Sequence, residues 1–108
     1  MKSQFVYLRK ILLHPSRRPE IEFVGRKMVH KSVVLKGRKH EISVYLSNRP
    51  TSGFYYVSNF YQHNACNMSK EPDVEVVFFK SIFEVMKRLE MNYQALAHAA
   101  KIFNEGGK

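Results

Sequence analysis

The sequence predicts an α+β fold: a mostly antiparallel sheet of four to five strands with a long C-terminal helix packed on one face. Three patterns predict it. Residues 40–47 alternate, with Ile42, Val44 and Leu46 on one side and Glu41, Ser43, Tyr45 and Ser47 on the other. Residues 73–79 alternate again through Val74, Val76 and Phe78. After Ser81 the period lengthens, through Ile82, Val85, Met86, Leu89, Tyr93, Leu96, Ala97, Ala100 and Phe103. Strict alternation marks a strand with one buried face, and three–four spacing marks a helix with one buried stripe. The 108 residues suit a single domain over 1–108. Its parts are a basic N-terminal arm or first element over 1–19, a strand-rich region over 20–80 and the C-terminal helix over 81–104.

Residues 4–13 suit a strand through Gln-Phe-Val-Tyr-Leu, or a helix through Leu8, Ile11 and Leu12. Pro15 and Pro19 end the element and bracket a loop. As an ordinary first element it places Phe5, Val6, Leu8 and Leu12 in the core. Residues 1–19 are also basic, amphipathic and free of acids. That is the composition of a mitochondrial transit segment, or of an arm laid on phosphates. The expected location is intracellular, in the mitochondrial matrix or the cytoplasm.

Residues 20–25 alternate through Ile21 and Phe23, and Gly25 closes the run. Residues 32–36 form a second short strand. Lys36-Gly37-Arg38-Lys39 joins it to the strand over 40–47 at hairpin length, with Gly37 free to take the positive φ of a tight turn. Residues 49–53 and 64–72 read as loops, on either side of an uncharged aromatic stretch over 54–63. Ser81 and Glu84 have the spacing of a capping box, and Glu84 and Arg88 that of a favourable i,i+4 pair. Gly106 and Gly107 can end the helix.

Composition narrows the function. The hydrophobic share of 44% and aromatic share of 13% exclude a disordered basic tail. One cysteine, Cys66, excludes an internal disulfide framework. The apolar runs are far too short for a membrane span. The charge is the strongest signal. Residues 1–50 carry twelve Lys and Arg against three acids, and residues 51–108 carry six of each, so the whole excess of +9 belongs to the first half. Such a surplus attracts polyanions, with RNA favoured over DNA.

The expected contacts follow from this. Lys36, Arg38 and Lys39 lie at the hairpin tip, with Arg26, Lys27 and Lys31 just before it. Arg17 and Arg18 add to the same phosphate track, and each cation that meets a phosphate releases a counterion. A turn is also ordinarily polar and solvated, but here no acids balance the charge. In the aromatic stretch a strand puts Phe54, Tyr56 and Phe60 on one face and Tyr55, Val57 and Tyr61 on the other. Tyr55 and Tyr61 could stack on unpaired bases; the plainer reading buries the strand on both faces.

No catalytic motif, metal box or phosphate loop is present, so no enzyme activity, metal or cofactor is expected. His63 and Cys66 are spaced as half a zinc site, without a second ligand pair. His30 and His40 flank the second short strand and could meet across the hairpin, the arrangement a small metal-independent ribonuclease needs. The segments Pro19-Glu-Ile-Glu-Phe-Val24 and Met91-Asn-Tyr-Gln-Ala-Leu-Ala97 are each faintly similar to stretches of small mitochondrial ribosomal proteins. They share no diagnostic residue or consistent order and assign no family. The expected function is a ribosomal-protein-like, RNA-binding subunit of a ribonucleoprotein, with protein neighbours on its neutral half. The alternatives are a free-standing DNA- or RNA-binding regulator of phage or viral type, or the ribonuclease.

Overall fold

A computed structural model describes residues 7–35, 37–61 and 71–106, with side chains as far as Phe103. Five strands precede one helix: β1 (Arg9–Leu13), β2 (Ile21–Leu35), β3 (Arg38–Arg49), β4 (Gly53–Phe60), β5 (Asp73–Phe79) and α1 (Ile82–Gly106). The strands form one antiparallel sheet in the order β1-β2-β3-β4-β5, and α1 packs against it. The fold is α+β, as the two periodicities predict.

The alternation in β3 and β4 sorts the side chains into two clusters. Ile42, Val44 and Tyr56 face α1 and are buried with Val85 and Leu89. Leu13, Phe23 and Val57 form the second cluster on the opposite face, joined by Ile11, Tyr45, Tyr55, Val74 and Val76. Side chains of both edge strands, β1 and β5, meet in this second cluster, so that face is concave. Two hydrogen bonds fix the curl. The Ser16 N–H donates to the Val74 carbonyl at 2.9 Å, and the Val74 N–H donates to Ser16 Oγ at 2.9 Å. The β1–β2 loop thus reaches across to β5.

Gly37 turns the β2–β3 hairpin with φ of +75°, a conformation that L side chains rarely adopt. Ser81 caps α1, its Oγ accepting from the Phe83 N–H at 3.2 Å. The capping-box reading placed that bond one residue later, on Glu84. Arg88 does not use its i,i+4 position beside Glu84; its guanidinium lies 5.3 Å from the Phe79 ring. Among the described residues no helix is long and apolar enough to cross a membrane.

Three further expectations change. The segments read as two short strands are one strand of 15 residues, β2. Gly25 does not close the first of them but lies inside it, against the Leu46 carbonyl, where a Cβ would collide. Bulges at Val24/Gly25 and Lys27/Val29 shift the register there, so the alternation breaks while the strand continues. Residues 9–13 form a strand in which Leu13 is buried and Leu12 exposed, as is Leu8 before it, so neither joins the core. Phe5 and Val6 lie outside the described residues. Phe103, the last residue of the predicted stripe, is exposed.

Candidate nucleic-acid interface

The basic residues of the hairpin are divided between its faces. Cross-strand partners point to the same side of a sheet. Arg26 is opposite Leu46, Lys31 opposite Ile42 and Arg38 opposite Leu35, which puts all three on the helix side. Lys27 is opposite Tyr45 and Lys39 opposite Val34, on the concave side. Ring contacts agree: the Lys31 ammonium is 5.0 Å from the Tyr93 ring of α1, and that of Lys27 is 5.6 Å from Tyr45. The single track expected at the hairpin is therefore split, because residues two apart share a face and adjacent ones do not. Lys36 lies outside the described residues. Arg26 is half-buried, its Nε without a hydrogen-bond partner among the described residues.

The curl assembles a different group. Residues Pro15–Arg18 of the β1–β2 loop face β5 across an open groove of ≈ 880 Å³. Arg17, Arg18, Phe60, Tyr61 and Asp73 lie at one end, and Val76, Val77 and Phe78 line it along β5. Arg17 adopts φ of +59° and pairs with Asp73 at 3.6 Å. Asp73 lies opposite Phe60, and the Arg38 guanidinium is 4.9 Å from the centre of the adjacent Tyr61 ring. Arg17, Arg18 and Tyr61 thus line one groove, although 44 residues separate Arg17 from Tyr61 in sequence. The exposed Arg17–Asp73 pair contributes little to stability. It leaves Arg18 facing a groove whose wall includes Phe60, Tyr61 and Phe78.

Tyr55 lies elsewhere. It is half-buried in the concave cluster, 4.6 Å from Phe23 and 4.9 Å from Phe78 between ring centres. β4 is thus packed on both faces, and of the two tyrosines only Tyr61 lines the groove.

The histidines do not meet. His30 is opposite Ser43 and His40 opposite Val33, on opposite faces of the hairpin. His30 Nδ1 is 3.0 Å from Ser43 Oγ and its Nε2 is 3.1 Å from Glu41 Oε1. His40 is buried beside Phe60 and Tyr61. His63 and Cys66 lie outside the described residues. Among those described, no group of three or more His, Cys, Asp or Glu could hold a metal ion. No protein-family model, curated protein or solved structure matches this chain.

Proposed function

We propose that the protein is an RNA-binding subunit of a ribonucleoprotein assembly, ribosomal-protein-like, with its basic half on phosphates and its neutral half against protein neighbours. The observation that carries this reading is the confinement of the +9 excess to residues 1–50. The groove supports it with a stated chemistry. Arg17 and Arg18 supply cations for phosphate oxygens, Tyr61 supplies a ring for a base, and Arg38 stacks on that ring. An arginine already stacked on a ring loses less freedom when it binds, and its planar fork suits a phosphate. A groove of this kind fits an unpaired strand better than a duplex, because only an unpaired base can turn onto a side-chain ring. The site of action follows from the assembly, in the mitochondrial matrix or the cytoplasm.

The test is a salt titration of affinity for single-stranded RNA. With about five phosphate contacts, log affinity falls with log salt at a slope near −3.5. A flat response, or no binding near physiological salt, removes the proposal.

A further inference from the structure

The outer edge of β5 carries a second interface. β5 pairs with β4 on one side only. Val74 turns both its N–H and its carbonyl outward, to Ser16. Backbone direction alternates along a strand, so the N–H and carbonyl groups of Val76 and Phe78 also point out of the sheet. Among the described residues nothing bonds to them there. Val76, Val77 and Phe78 are half-buried, uncharged and open to the groove. Sheets ordinarily guard such an edge with lysine, proline or a bulge. The opposite edge does so, since β1 begins Arg9-Lys10. The Val76–Phe78 stretch has no such guard.

We propose that β5 pairs with β5 of a second copy of this chain, antiparallel about a two-fold axis through Val77. The strand complements itself in that register. Val76 falls opposite Phe78 of the second copy, and the outward groups of both pairs meet as donor and acceptor. The two Val77 side chains face each other at the axis. Ser16 already occupies the edge at Val74 and ends the ladder there. The proposal does not rest on RNA binding.

Sedimentation of the full chain at rising concentration should show its mass doubling. Amide exchange should locate the contact: Val76 and Phe78 slow with concentration, while Glu75 and Val77, whose N–H groups face β4, do not change. Val77→Lys and Val77→Glu each place like charges face to face at the axis, so each alone stays monomeric. Their equimolar mixture should dimerise. Should either variant fail to fold by circular dichroism, the exchange measurement on the unaltered chain decides. A chain that remains monomeric at its highest soluble concentration overturns the proposal. So does a dimer whose Val76 and Phe78 amides exchange at the same rate at every concentration.

Discussion

Tyr56 ties the sheet to the helix through one polar bond inside an apolar layer. Its side chain is fully buried, and Asn92 Nδ2 donates to its hydroxyl at 2.6 Å. Tyr56→Phe should cost about 0.5–1.5 kcal/mol in urea unfolding, the net worth of one hydrogen bond. Burial pushes the phenol above its ordinary value, against the opposing effect of the Asn92 bond. The folded chain therefore favours the neutral phenol. This contribution is fully present below the ordinary value near 10. It is lost as pH rises through the folded value, a loss that Tyr56→Phe should lack. The groove gives a second prediction at this scale. Changing Arg17 and Arg18, which line it, to Gln should weaken all nucleic acids alike and flatten the salt slope. Tyr61→Ala should weaken single strands by about 1–3 kcal/mol per stacked base and leave the slope unchanged. Loss of affinity for duplex and single strand in equal measure would remove the stacking role. The alternation over 54–61 was enough to put Tyr56 on one face with Phe54 and Phe60, the face that α1 covers. It could not separate Tyr55 from Tyr61, which share a parity. The difference between them is that β4 ends at Phe60, beyond which Tyr61 has no strand neighbour.

Among the elements, α1 and β3 follow directly from the sequence because one uninterrupted period governs each. Leu89 faces the sheet and is buried, so Leu89→Ala should cost about 2–5 kcal/mol. Arg88 lies against Phe79 rather than in its expected pair with Glu84. Its contact with Phe79 predicts a measurable loss of about 0.5–1 kcal/mol for Arg88→Ala. β2 was not legible as one strand. A bulge adds a residue, moves every later side chain to the other face, and so looks like an ending in a period-two pattern. Gly25 strengthens that impression, yet its role is to admit the Leu46 carbonyl. Gly25→Ala should destabilise the domain by about 3 kcal/mol, the upper end for overpacking, with thermal melting as the measurement. An unchanged melting temperature would mean that the two strands separate at this point without cost.

Over the whole molecule, the charge division was plain in the sequence and the curl was not. The curl depends on Ser16 meeting Val74, 58 positions apart, and no local pattern encodes a contact at that distance. For the same reason the sequence placed Arg17 and Arg18 with the hairpin cations, whereas the fold places them with Tyr61 and the edge of β5. The two proposed interfaces answer to salt in opposite directions. Phosphate binding releases counterions and weakens as salt rises. Pairing of two copies brings together two chains of +9 each, and their mutual repulsion opposes association. Added salt shortens the screening length from about 10 Å at 0.1 M to about 3 Å at 1 M, which removes that repulsion and leaves the backbone bonds of the edge intact. Across one salt series, RNA affinity should therefore fall while the dimer fraction rises, read by fluorescence anisotropy and sedimentation on the same samples. If both fall together, the copies are held by attraction between charges rather than by the β5 backbone, and the strand-pairing geometry is wrong.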